Sequence, residues 1–448
     1  MGEGRRASKT RRRARGSGGA VVLAALLSVG GSGCKGLNVV ANPDVPLWVN
    51  HPGSAMRVSA QRPLTAPASQ EGEFYERGKP TIDAVHRRVF VGTRDDGLYA
   101  LRAADLSTMW RFQTAGAVQG EALYNLAEDA VYFGSNDGAV YKLRAADGAM
   151  QWRFATNAEV TRKPILHDGH LFVVNANDTL ISIDPANGKL RWFQSREPAA
   201  GMEISGYAGV AAFEDRVYTA FSDGIVMAYA ADDGREAWPV LVDLAQDAEQ
   251  SRGDDIRYFD VDTTPVVGRA VGPDGERDAV FVASYEGGVH ALDAETGGRL
   301  WVNDAVLGAT ELMMWEAPAQ PREGEPAGAR RHRVLVASSG LSGVWGLNPD
   351  DGAERWRRDL PAGGVSRAEP WAGALLVGTT RYGLFLIHPL DGAVLDGIHR
   401  GGAFATHPSA YGRKAFVLSN GGVFLGLSVT PPAGSGLPEG VASILSAN

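Results

Sequence analysis

A chain of 448 residues that is 44% apolar and contains 57 glycines has ample hydrophobic side chain for one large core, which excludes a wholly disordered protein. Its basic residues crowd the start, where Arg5, Arg6, Lys9, Arg11, Arg12, Arg13 and Arg15 precede an apolar run from Ala20 to Val29. Without residues 1–33 the chain holds 37 basic against 51 acidic residues, a net charge of −14, which argues against nucleic acid or another polyanion as partner and against broad adhesion to anionic lipid.

In chain order, the first element is export machinery. A basic head, about ten apolar residues and the small-residue exit GGSG make residues 1–33 a secretory signal peptide, too short for a bilayer that needs about 20 helical residues. The TRRR run at Thr10–Arg13 also resembles a twin-arginine signal. Cys34 is the only cysteine, so it can form no internal disulfide in an oxidising compartment. Its place directly after the small residues resembles the bacterial lipoprotein pattern, which implies a lipid on Cys34, although Gly31 stands where that pattern usually has leucine. Lys35 is not the aspartate that retains such proteins in the inner membrane of enteric bacteria, so the implied address is the outer membrane. Residues 34–44 then read as the lipid tether.

The body repeats with a period of about 40 residues. LRAADLSTMWRF ends at Phe112, LRAADGAMQWRF at Phe154, IDPANGKLRWFQ at Gln194, YAADDGREAWPV at Val240, LDAETGGRLWVN at Asn303 and LNPDDGAERWRR at Arg358. A degenerate seventh, IHPLDGAVLDGI, puts Asp396 where the tryptophan belongs. Each unit has a short lead-in strand such as KPTID, an apolar run such as VFVG, a turn, a second run such as GLYAL, a D-G or N-G type turn and the tryptophan strand. Four antiparallel strands per unit, repeated, predict propeller blades, because one such sheet cannot bury both faces and a ring of them can. The eighth pair of runs, Ala415–Val429, has no tryptophan strand behind it, and VPLWVN at Val45–Asn50, with Trp48, is predicted to supply one. The predicted fold is therefore all-β, an eight-bladed propeller over residues 45–430 closed by an N-terminal strand, with a flexible tail at 431–448. Two polar insertions, Leu241–Asp255 and Glu316–Arg333, are predicted to be loops. The tryptophans are read as packing between blades rather than as stacking platforms for a substrate.

The fullest repeat, ALDAETGGRLW, resembles the PQQ-type propeller repeat, and the resemblance covers about Val45 to Val429. Within that group, DVDTTPVV at Asp260–Val267 and GMEISGYAGVAAF at Gly201–Phe213 resemble the segments that lead into blades five and four of the outer-membrane assembly lipoprotein family BamB. That resemblance implies a monomeric, non-enzymatic scaffold within a larger complex, lipid-anchored at the periplasmic face of the outer membrane. It would dock to a BamA-like barrel-assembly protein and aid insertion of unfolded outer-membrane proteins. The implied contact residues are Met202 and Ile204, then Ser205, where the family usually has arginine, and the acidic Asp260 and Asp262. Aligned on Pro80, Pro164, Pro265, Pro370 and Pro408, the place of Asp262 is taken by Arg77, Thr161, Arg367 and Ala405, so building a blade does not need the acid.

Two readings stand beside this one. The quinoprotein dehydrogenases share the repeat and bind PQQ with calcium, commonly under an adjacent-cysteine disulfide that this chain cannot form. A generic exported propeller that binds some other protein shares most of the features. No catalytic set, cofactor motif or metal site is assigned from the residues. His167 and His170 flank a D-G turn with no third ligand in sequence, and the glycine-rich stretches lack the helix that a phosphate loop requires.

Overall fold

A computed structural model describes residues 54–66, 75–198, 207–246, 261–272, 275–318, 331–360, 363–399 and 403–430. They form eight four-stranded antiparallel sheets. Blades one to seven are continuous in sequence and start at Thr81, Leu123, Ile165, Ala211, Val266, Ala309 and Glu369; blade eight combines Ser409–Tyr411, Lys414–Leu418 and Val423–Val429 with Met56–Pro63. Neighbouring lead-in strands, such as Thr81–Asp83 with Leu123–Asn125, touch one another and so gather around the axis. The second and third strands are buried along almost their whole length, as Ala130–Ser135 and Ala139–Arg144 show, because a neighbouring blade covers each face. The fourth strands alternate between exposed and half-buried, as in Thr108–Gln113, and form the outer wall.

The repeated tryptophan and glycine belong to one device that joins consecutive blades. The indole N–H of Trp110, Trp152, Trp192, Trp238, Trp301 and Trp356 donates to the carbonyl of Ala145, Pro185, Ala231, Ala294, Pro349 and Pro389, each on the D-G or related turn of the next blade, at 2.9–3.2 Å. The ring lies flat against that turn's glycine. A Cβ on Gly352 (φ +74°) would sit 2.5 Å from Trp301, so both the backbone and the space demand glycine there. Blade one has Leu106 at this position, with φ +60° and fully buried. The preceding blade offers it no indole: Ala60 takes the tryptophan's place opposite Gly426, and the leucine packs with Phe416 and Phe424 instead.

This difference sets up a paired test. Gly352→Ala should cost about 2–5 kcal/mol, from a left-handed backbone carrying a Cβ and an overpacked indole. Leu106→Gly relieves about 1–2 kcal/mol of backbone cost but gives up a buried leucine worth about 2–5 kcal/mol, so it too should destabilise. Urea unfolding of both variants checks this; a stabilised L106G would show that the leucine does not fill the gap.

Closure departs from the expected segment. Met56–Pro63, not Val45–Asn50, pairs with Val423–Val429, from Met56 opposite Val429 to Pro63 opposite Val423. Trp48 lies outside the described residues. The seventh blade's departure from the repeat has the same origin. Between blades seven and eight the junction of two segments distant in sequence, near Ala55 and Thr430, replaces the turn, so an indole would find no turn carbonyl. Asp396 instead accepts from the Ser54 hydroxyl at 2.8 and 2.9 Å and from the Met56 amide at 2.8 Å, clasping the start of the closing strand.

The insertions are also more ordered at their ends than expected. Glu316 to Pro318 and Arg331 to Arg333 continue blade six's first hairpin, with Glu316 opposite Arg333. In blade four the tryptophan strand is broken: Ala228 pairs around Ala237, and the sheet ends on Val242–Asp243, followed by a helical turn at 244–246.

Candidate functional site

The residue before a proline is held extended, and in extended chain positions one and three before it face the same way. Lys79, Lys163, Glu369 and His407 each precede a proline, and Arg77, Thr161, Arg367 and Ala405 lie two residues earlier. The ring converts this local rule into a site on the axis. Arg77, Thr161, Asp262, Arg367 and Ala405, the positions aligned from sequence, line one cavity of about 370 Å³ together with Gln119 and Thr310. An adjoining cavity of about 110 Å³ is lined by Lys79, Glu121, Arg162, Lys163, Glu311, Arg367 and His407.

Ion pairs across the ring join distant blades. Glu311 of blade six meets Lys79 of blade one at 3.3 Å and Arg162 of blade three at 3.2 Å. Arg162 also donates to the carbonyl oxygens of Tyr207 and, at 2.7 Å, Asp262. Glu121 pairs with Lys163 and accepts from His407 Nε2 at 3.1 Å. Burial alone would raise the Glu311 pKa, but the Lys79 and Arg162 charges overcome it and hold it at about 2. Glu121 faces the same contest between burial and the His407 hydrogen bond with the Lys163 charge, and is likewise held far below the carboxylate range. Two groups move the other way from their usual values. Burial pushes Glu369 up to about 7, against the opposing Ala410 amide and Arg367 charge. Burial and the Lys79 charge push His407 down to about 4.

These shifts have opposite linkage. Glu369 binds its proton more tightly when folded, so its contribution is complete below about pH 4.5 and is lost as pH rises through about 7. His407 binds its proton less tightly when folded, so its contribution is present above about 6.5 and is lost as pH falls through about 4. The two nearly cancel between about pH 4.5 and 6.5. Glu369→Gln should therefore gain about 3 kcal/mol relative to wild type between pH 4.5 and 8. Denaturant unfolding at several pH values checks it; parallel profiles for the two proteins would refute the assignment.

Of the residues predicted to bind a partner, the structure describes Asp262. Its side chain is half-buried at the channel mouth. Met202, Ile204, Ser205 and Asp260 lie outside the described residues, as does Cys34. The threonines that follow Asp262 are structural. Thr263 is fully buried and its hydroxyl stitches to both the amide and carbonyl of Ala283, at 2.8 and 2.9 Å, while Thr264 accepts from Gly209 at 3.2 Å. His167 and His170 diverge: the first contacts the Glu214 carbonyl at 2.5 Å, the second contacts Ser182 at 2.8 Å and stacks on Phe172. Among the described residues, one group of three possible metal ligands converges, Asp83, His86 and Asp129. The Arg88 guanidinium already lies between its carboxylates, donating to Asp83 at 2.7 Å and to Asp129, so a metal would have to displace a buried cation.

Sequence reading passed over the ion-pair cluster. Its signal was a charged residue or histidine before proline in four lead-ins, Lys79, Lys163, Glu369 and His407.

An eight-bladed propeller with indole-stapled blades and a charged axis defines a protein of the PQQ-type repeat class. The chain belongs to the BamB family: the model described as outer membrane protein assembly factor BamB matches residues 95–314 and 272–406. Outer membrane protein assembly factor BamB of Legionella pneumophila (strain Paris) is 24% identical over 218 residues, 48% of this chain and 49% of that protein. The chain thus aligns with about half the length of this curated relative. The quinohemoprotein alcohol dehydrogenase ADH-IIG of Pseudomonas putida is 28% identical over 160 residues, 34% of this chain and 20% of that protein. In fold, the chain is similar to the crystal structure of BamB from Moraxella catarrhalis, with a TM-score of 0.64 at 16% identity, covering 83% of this chain and 99% of that one.

Proposed function

We propose that this chain is a non-enzymatic scaffold of outer-membrane β-barrel assembly, docking a BamA-like protein at the mouth of its channel. It would sit at the periplasmic face of the outer membrane, held by a lipid on Cys34 that follows a signal peptide at 1–33, with 34–44 as tether, and would aid insertion of unfolded barrel proteins. Family membership supports the role. The observation that carries the docking site is the position of Asp262. It lies half-buried at the mouth, where the equivalent places hold Arg77, Thr161, Arg367 and Ala405, so the acid is specific to blade five and dispensable for the blade. Asp260, two residues earlier in extended chain, would share its side, and Met202 and Ile204 of the preceding lead-in would supply the apolar centre of the contact.

The alternative, a quinone-dependent dehydrogenase, draws on the match to ADH-IIG. The donor set on the axis does not fit a calcium-bound quinone. Glu121 and Glu311 are each committed to lysine or arginine, and the single cysteine cannot form the adjacent disulfide.

The test is co-purification of the D260K/D262K variant with a BamA-like partner. Binding should weaken by about 2–5 kcal/mol if the pairs are desolvated. The melting temperature should hardly move, since Arg77 and Arg367 occupy the Asp262 position in blades one and seven. Undiminished co-purification rejects the docking site. Mass spectrometry of the purified protein checks the anchor; an unmodified Cys34 rejects it.

A further inference from the structure

The axis carries charge of the wrong sign for its host. The whole chain has a formal charge of −8. Yet the mouth cavity presents Arg77, Lys79, Arg162 and Arg367 against Asp262 and Glu311. Two of these cations, Lys79 and Arg162, share Glu311. Arg367 is different. Its guanidinium makes no hydrogen bond or ion pair among the described residues, and its Nε is buried without an acceptor. A buried donor on a cation, left unpaired, is costly enough that it calls for an anion.

A second orphan lies on the same cavity. His407 is 5% exposed, and its Nδ1 is buried without a partner. Its other ring nitrogen faces Glu121 at 3.1 Å. An ionised carboxylate can only accept, so Nε2 carries the proton and Nδ1 is left as an acceptor on the neutral ring. The neutrality agrees with the downward shift of this imidazole. Both residues line the cavity, so a small turn of either side chain presents a cationic donor fork and an imine acceptor to it. An anion with no hydrogen to give satisfies the first and repels the second. One that keeps a hydroxyl satisfies both.

We infer that the channel mouth is a binding site for a small oxyanion that retains a hydroxyl, of the hydrogen phosphate class, held by Arg367 and donating to Nδ1 of His407. The site is independent of the docking proposal, since it needs no partner protein. Phosphate and sulfate have the same shape, and near neutral pH only phosphate keeps a proton to donate, so their comparison isolates the His407 contact.

The experiment is isothermal titration calorimetry of the purified protein at pH 7.5 in a chloride buffer, with inorganic phosphate and then sulfate. One saturable site is expected, with phosphate bound at least about tenfold more tightly, because a buried acceptor is left unpaired by sulfate. Arg367→Gln should weaken phosphate by about tenfold or more, through loss of a charge-assisted pair. Ala405→Glu, which sets a carboxylate in the same mouth without touching Arg367, should abolish binding. Arg235→Gln, at an exposed turn on blade four, should leave it unchanged. Absence of saturable phosphate binding to the wild-type protein, or equal affinity in folded R367Q, overturns the site. Sulfate bound as tightly as phosphate overturns the role of His407.

Discussion

Deletion through Pro63 is expected to prevent folding, whereas deletion ending before Ser54 should leave the melting temperature nearly unchanged. The longer deletion strips Val423–Val429 of its outer neighbour and exposes the open edges that a propeller otherwise removes by closing. It also removes Met56, which is 2% exposed, at a cost of about 2–5 kcal/mol. Asp396 is then left buried without the Ser54 and Met56 donors, which adds about 1–3 kcal/mol or more for a charged group. Together these approach the whole stability of a typical protein, about 5–15 kcal/mol. Circular dichroism and melting curves of the two truncations decide it. If both melt alike, Met56–Pro63 does not close the ring. Asp396→Ala, which keeps the strand but removes its clasp, should fall between them.

What was readable in the sequence follows from where the physics is local. Runs such as VYFGS and AVYKL are apolar at nearly every position because both faces of those strands are covered, and their turns are marked by residues that tolerate positive φ. Hence blade number, strand order and the packing role of the tryptophans could be read directly. The closing strand could not, because the repeat marks its fourth strand with a tryptophan, which Trp48 offers and Met56–Pro63 lacks. The interface between blades eight and one uses Ala60 with Leu106 in place of tryptophan with glycine, a complementary exchange that is visible only once register is known. The same limit applies on the axis. Asp262 could be placed at a lead-in by alignment of the repeats, but Glu311 and Lys79 are 232 residues apart, and nothing local says that blades six and one face each other across a channel.

That cross-ring contact carries the second large effect. Glu311→Ala should destabilise the protein by about 3–5 kcal/mol, because it leaves Lys79 and Arg162 close together without their shared anion. Glu311→Gln keeps the volume and one acceptor, so its loss should be smaller but of the same sign. The pH dependence follows from the depressed pKa. With a folded value of about 2 against an ordinary 4.5, Glu311 contributes fully above about pH 4.5, and the contribution is lost as pH falls through about 2. The difference between wild type and E311Q should therefore shrink in acid and hold steady through neutral pH. Loss of the cation pair supplies a control on the cause. If E311A suffers from two uncompensated charges and not from a cavity, adding Lys79→Met and Arg162→Met should recover much of the stability, short of the bonds that Arg162 gives to the Tyr207 and Asp262 carbonyls. Urea unfolding of the single and triple variants distinguishes the two. A triple variant that is weaker than E311A would show that the bonds from Arg162 to the Tyr207 and Asp262 carbonyls outweigh the repulsion between the two cations, and that the acid is not what keeps Arg162 on the axis.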